Sequence, residues 1–196
     1  MNKKLVFELK RKFIHFLALI FILIYWLAKK EYTQQIALLT LIFILICFLI
    51  IEFLRLNRKK KIPFLHIFLR DSEEDKLIAH IPFFLGTIIA FAVFNFTIAL
   101  TVVLMAIFGD LAAAVIGVAY GKHKILENSN ISYEGTIAGF IVNFIIAYIL
   151  LSNFILILAI ALTATFVEAI FTHMDDNLAI PLFAGFVGQV LHLFLN

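Results

Sequence analysis

Three ionisable side chains stand inside otherwise apolar stretches of this chain: His15, Asp110 and Glu168. An ionisable group within a membrane span costs roughly 2.5–3.5 kcal/mol on insertion scales unless it is paired or hydrated, so each needs a reason. Asn143, two turns into another apolar stretch, could join them. Other polar groups flank these positions. Arg11 and Lys12 precede His15, Lys122 and Lys124 follow Asp110, Glu134 comes next, and Glu168 leads to His173-Met174-Asp175-Asp176-Asn177. The carboxylates Asp110, Glu134, Glu168, Asp175 and Asp176 suit Mg2+, a hard ion that takes oxygen ligands. The cations Arg11, Lys12, Lys122 and Lys124 suit phosphate oxygens. Phosphoryl transfer needs both, because its catalysis is mostly positioning and charge neutralisation. A site set among apolar stretches implies a lipid acceptor.

The rest of the chain has to carry those residues through a bilayer. Of 196 residues, 64% are apolar and 15% charged, with a mean hydropathy of +1.08; a soluble domain is about half apolar and a quarter charged. That excludes a water-soluble enzyme, a disordered chain and a disulfide scaffold. The lone Cys47 forms no internal bridge and reads as a small core or lipid-facing residue. The basic start, Met1–Lys12, leads into an apolar stretch that closes on Tyr25, Trp26, Lys29 and Lys30 rather than on a cleavage site, as expected of a retained span.

An all-α, polytopic integral membrane protein is therefore expected, a single domain over 1–196 with about seven transmembrane helices. The spans fall near Phe13–Ala28, Ile36–Leu54, Ile81–Phe94, Ile98–Val118, Gly135–Leu151, Phe154–Phe171 and Leu178–Leu195, with tight turns at Asn95–Thr97 and Ser152–Asn153. With a cytoplasmic N-terminus, fourteen of the sixteen Lys and Arg residues lie inside and only Lys29 and Lys30 outside, as the positive-inside rule requires. The same orientation brings twelve of the thirteen acidic residues to the cytoplasmic face, all but Glu31. The Lys59–Lys61 run then needs only a topological explanation. Within 57–80, the apolar piece Pro63–Leu69 suits a short interfacial helix and the charged piece after it a solvated loop.

Positions 110, 113, 114, 117 and 121 share one helical face, and apart from Asp110 they are Ala or Gly. Small residues allow close helix packing; with a carboxylate among them and Lys122 and Lys124 beyond, the stripe is expected to make room for a ligand. Gly117–Lys122 resembles a Walker loop only superficially. It is one residue short, lacks the Ser or Thr after the Lys, and follows a helix rather than a strand. Ser132 is placed to cap the fifth span, with Glu134 in its first turn, and Asn177 or Asp176 to cap the last, where Pro181 is tolerable.

Several short segments resemble the CTP-dependent polyprenol kinases, the group of dolichol kinase, phytol kinase and the CTP-dependent diacylglycerol kinase of fungi. Glu8–His15 looks like the opening Arg-Lys-x-x-His element. Gly109-Asp110 through Gly117, with Gly121-Lys122, is similar to the nucleotide-site segment. Glu134-Gly135-Thr136 matches a Glu-Gly-Thr element, and Glu168 with Asp175–Pro181 looks like the closing one. The resemblance implies CTP as donor, Mg2+ as cofactor and a long-chain isoprenoid alcohol, of polyprenol or dolichol type, as acceptor. It implies essential roles for Arg11, Lys12, Asp110 and Gly117, and nucleotide contacts from Gly121, Lys122, Lys124, Glu134, Gly135, Thr136 and Asn177. On this reading Asp110, Asp175 and Asp176 hold the metal, Arg11, Lys12 and Lys122 clamp phosphates, and Asp176 or Glu168 serves as general base, with His15 behind them. Ile131 departs from the pattern: many relatives carry a Lys there, so its phosphate contact passes to Lys122 or Lys124.

The partners are then CTP, a membrane lipid alcohol and the bilayer, with no nucleic acid; the oligomeric state stays open. Two alternatives stand beside this reading. A CTP:lipid-phosphate cytidylyltransferase shares the Gly-Asp…Gly…Gly-Lys…Glu-Gly pattern, but its His-Gly-Gly…Asp-Arg…Asp signature is missing. An ion-coupled transporter could use Asp110 and Glu168 as a proton path, yet it would need polar groups in an outer half that is nearly bare.

Overall fold

The computed structural model describes residues 18–58, 80–125, 131–171 and 174–195. Arg11, Lys12, His15 and the 59–79 segment lie outside the described residues. Within them the chain is all-helical apart from one isolated bridge between Lys124 and Ser132. Seven helices follow in order: α1 over 18–31, α2 Gln34–Arg58, α3 His80–Val93, α4 Phe96–Tyr120, α5 Tyr133–Leu150, α6 Phe154–Ile170 and α7 Asp176–Leu195. Four of these, α2, α4, α5 and α7, are long and apolar enough to cross a membrane.

Polar residues punctuate the apolar run where the chain must turn. The Asn95 side chain accepts from Thr97 N–H at 3.0 Å and starts α4. Asn153 accepts from Ile155 and Leu156 N–H at 2.9 and 3.3 Å and starts α6. Ser132 accepts from Gly135 N–H at 3.2 Å and starts α5. Each cap satisfies N–H groups that a helix leaves without internal partners. With breaks this short, successive helices run antiparallel.

α4 is the hub and packs against α3, α5, α6 and α7. Ala99, Val102, Val103 and Ala106 on it are fully buried. α1 closes one flank through aromatic contacts: Tyr25 stacks on Phe91 with centroids 4.2 Å apart, and Phe21 meets Phe84 edge-on at 4.8 Å. Much of the outer surface is large and apolar, with Phe43, Phe53, Tyr148, Ile149, Phe166, Phe186 and Phe194 all exposed, the inversion of a soluble surface expected of helices that face lipid.

Two expectations are corrected at helix ends. α2 runs past the expected span end near Leu54 to Arg58, into the start of the segment read as a loop from position 57, and Arg55 is helical. It is buried and paired with Glu52 three residues earlier: Arg55 Nη2 donates to Glu52 Oε1 at 2.7 Å and Nε to Oε2 at 2.9 Å. This forked pairing offsets the desolvation of two charges at once. The cap of α7 is Asp175, not Asp176 or Asn177. Its carboxylate accepts from Asn177 N–H at 3.0 Å, and its carbonyl from Leu178 and Ala179 N–H.

Candidate functional site

Helix register brings those expected site residues that the structure describes to one end of the bundle. The backbone of Gly188 on α7 meets Ile98 on α4 and Ile160 on α6. Twelve positions separate Gly188 from Asp176, and twelve separate Ile98 from Asp110, about 18 Å of rise on each helix. α4 and α7 are antiparallel neighbours, so Asp110 and Asp176 stand at the same depth. Glu168 joins that level, because its Oε2 and the Gly109 carbonyl oxygen each lie 3.4 Å from where Gly139 would carry a Cβ.

Burial along α4 ends at that depth. Asp110 is the last buried residue of the helix, and Leu111–Val118 are all half-buried. α6 and α7 turn back near the level of Asp110, whereas α4 and α5 continue outward. The bundle therefore has a step, with Asp110 at its foot and the α4–α5 connection at its rim.

Beside the foot is Asn143, fully buried on α5. Thr165 Oγ1 donates its proton to the Ala161 carbonyl, so it accepts from Asn143 Nδ2 at 3.1 Å. That fixes Asn143 Oδ1 toward Gly109, in the space a Cβ on that glycine would fill. A weak Cα–H···O contact is what this approach permits. α4, α5 and α6 are thus tied together one residue from Asp110.

The small-residue stripe has a different use from the one expected. A Cβ on Gly135 would stand 2.6 Å from the Ala113 carbonyl oxygen and 3.1 Å from Gly117 Cα; one on Gly117 would meet Ser132 Oγ at 3.2 Å. At Ala113, Gly117 and Gly121 the space is taken by α5 and its cap, not left for a ligand. Backbone-to-backbone packing of this kind is what small residues permit between apolar helices.

That packing sets the rim. Gly121 N–H donates to the Gly117 carbonyl at 3.1 Å and ends α4. The chain then runs beside the start of α5: Tyr133 N–H donates to the His123 carbonyl at 3.0 Å and Ile125 N–H to the Ile131 carbonyl at 3.1 Å. Glu134, in the first turn of α5, reaches across. Its Oε1 accepts from Lys122 N–H at 3.2 Å and His123 N–H at 3.3 Å, and lies 2.8 Å from His123 Nδ1. Lys122 and Lys124 are exposed on either side of His123, and Thr136 follows, half-buried.

At the α6–α7 turn, Asp175 Oδ1 also accepts from Asn177 Nδ2, at 2.9 Å. Asn177 Oδ1 consequently faces away, 6% of the residue is exposed, and this oxygen has no hydrogen-bond donor among the described residues. Pro181 lacks the N–H that would bond the Asn177 carbonyl in a regular helix, and Gly86 of α3 packs against that carbonyl instead. Among the described residues no three His, Cys, Asp or Glu side chains form a ready metal-ligand group; the oxygen donors at this depth are mixed, carboxylates from α4, α6 and the α6–α7 turn and a carboxamide.

The opposite end carries little chemistry. It holds the Asn95 and Asn153 caps, a hydrogen bond from Asn95 N–H to Gln189 Oε1 at 2.7 Å, and Lys29 4.3 Å over the Phe96 ring. Of the described acidic residues only Glu31 lies there.

Sequence reasoning missed two features. The Glu52–Arg55 pair was legible only as an i, i+3 spacing of opposite charges, a weak signal. The Asn143–Gly109 approach has no sequence signature, since it joins residues from different helices.

Comparison with known proteins supplies one further finding. This chain is 32% identical over 129 residues to a probable phytol kinase 2, chloroplastic, of Oryza sativa subsp. japonica; the match covers 56% of this chain and 42% of that protein. The chain thus aligns with less than half of that relative's length. No family model and no solved structure matches it.

Proposed function

We propose that this protein is a lipid-alcohol kinase that transfers the γ-phosphoryl group of CTP to a long-chain isoprenoid alcohol at the cytoplasmic face of a membrane. The observation that carries the reading is the shared depth of Asp110 and Asp176, on neighbouring helices below a rim that bears Lys122 and Lys124. The likeness to a probable phytol kinase supports a kinase acting on a lipid alcohol. The bias of basic residues toward this end supports a cytoplasmic orientation.

Asp110, Asp175 and Asp176 would hold Mg2+ through carboxylates, the kind of oxygen donor this ion takes, and the buried Asn177 Oδ1 is a neutral oxygen with no hydrogen-bond donor among the described residues. Bound there, Mg2+ would supply charge neutralisation on the phosphates. Lys122 and Lys124 bind phosphate oxygens from the rim, with Arg11 and Lys12 as further clamps. Asp176 or Glu168 takes the hydroxyl proton as the alcohol oxygen bonds to the γ-phosphorus. The bond from that phosphorus to the bridging oxygen breaks, and CDP leaves. Gly117, Gly121 and Gly135 act through packing, by holding the start of α5 against the end of α4 that carries the rim.

The test is purified protein with labelled CTP or ATP, Mg2+ and a panel of polyprenol, phytol-like and diacylglycerol acceptors. CDP with a lipid monophosphate is expected; pyrophosphate with a CDP-lipid would make the protein a cytidylyltransferase instead. Asp110→Asn should abolish transfer, and undiminished transfer by this variant overturns the assignment.

A further inference from the structure

We infer that Glu134 is a positioning residue: its carboxylate holds the Lys122–Lys124 turn in place and makes no contact with metal or substrate. The inference rests on the kinase reading for what the two lysines bind, but not for the contact itself. A carboxylate is acceptor-only, and Oε1 already faces three N–H groups, those of Lys122, His123 and the His123 ring. Oε2 lies 3.4 Å from the His123 N–H as well. The donors sit on the two residues that follow Gly121, so the acid fixes the backbone at the point where the chain leaves α4. Its own place is fixed by the Ser132 cap and by the close approach of Gly135 to Ala113.

The result is a chain of constraint running from the α4–α5 seam through Glu134 and His123 to the lysines on both sides. Without Glu134, Lys122 and Lys124 would still be present, but on a turn free to sample other conformations. A negative charge beside a phosphate-binding turn is unfavourable unless it is committed elsewhere, and here its oxygens face N–H groups of that same turn.

Two variants and two readouts separate this role from a direct one. Amide hydrogen exchange on the full chain in detergent should show slow exchange at Lys122 and His123 in the wild type, fast exchange in Glu134→Ala and near-wild-type exchange in Glu134→Gln, whose amide oxygen accepts the same backbone N–H groups. In the kinase assay, Glu134→Ala should raise the KM for CTP roughly tenfold, the scale of one lost hydrogen bond to a charged group, with kcat little changed. Glu134→Gln should recover most of that loss. Slow exchange at Lys122 and His123 in Glu134→Ala overturns the inference, as does a Glu134→Gln variant whose KM for CTP is raised as far as that of Glu134→Ala, or a Glu134→Ala variant that loses kcat instead of raising KM. If the wild type phosphorylates no alcohol, the kinase reading fails while the exchange comparison still decides the role of Glu134.

Discussion

The carboxamide oxygen of Asn143 occupies the space in which any side chain on Gly109 would begin. Its orientation is set from the other side, by the hydrogen bond from Asn143 Nδ2 to Thr165. The two residues form a clasp between α4 and α5 directly beside Asp110.

Gly109→Ala forces that clasp apart. Overpacking of a filled interior costs about 1–3 kcal/mol, and thermal unfolding in detergent should fall accordingly. Asn143→Ala alone loses the bond to Thr165, about 1 kcal/mol. Because the second change removes what the first collides with, the double variant should be more stable than the sum of the two losses predicts. Strict additivity would mean that Asn143 and Gly109 do not meet.

The α4–α5 seam predicts an order among glycines. A methyl group on Gly135 meets the Ala113 carbonyl at 2.6 Å, backbone that cannot turn aside, whereas the nearest atom to one on Gly139 is the Ala113 Cβ at 3.2 Å. Gly135→Ala should therefore destabilise by about 2 kcal/mol or more and Gly139→Ala by less. Parallel unfolding curves give the order directly.

Removal of metal and removal of the rim lysines should act on different parameters. A chelator should stop phosphoryl transfer and leave the helical circular dichroism unchanged, since the helices pack through apolar contacts. Lys122→Ala and Lys124→Ala should each weaken CTP binding by roughly tenfold, with a dependence on salt shallower than that of the wild type. Steady-state kinetics at two ionic strengths measures both effects.

A substitution at the far end provides the converse. Asn153→Ala removes the cap of α6 and should cost about 1 kcal/mol of stability while kcat stays at the wild-type value. Asp110→Asn should do the reverse, losing turnover with little loss of stability. The two variants measured side by side separate folding from chemistry.

The helices were readable because apolar length and polar breaks are local properties. Asn95, Asn153 and Ser132 announced where α4, α6 and α5 begin, and the seven expected spans correspond to the seven helices of the described residues. The grouping of Asp110, Glu168 and Asp176 at one level followed from counting residues from each turn. The use of the glycines did not follow: a run of Ala and Gly leaves space on one helix, and only the neighbouring helix decides whether that space is filled. Glu134 was likewise visible as a first-turn acid, but its hold on Lys122 and His123 depends on a loop folding back across ten intervening positions. Capping at Asp175 rather than Asp176 is a one-residue distinction that sequence preference does not resolve.

The unequal reach of the helices bears on which alcohols suit the protein. α6 and α7 turn back at the depth of the buried aspartate, so in the proposed reaction a hydroxyl arriving over that lower shoulder needs to rise only slightly, while its hydrocarbon stays among the lipid chains. The far part of the tail then lies in the bilayer rather than against that shoulder. Turnover should track the shape of the first few carbons next to the hydroxyl and be nearly indifferent to the number of isoprene units beyond them.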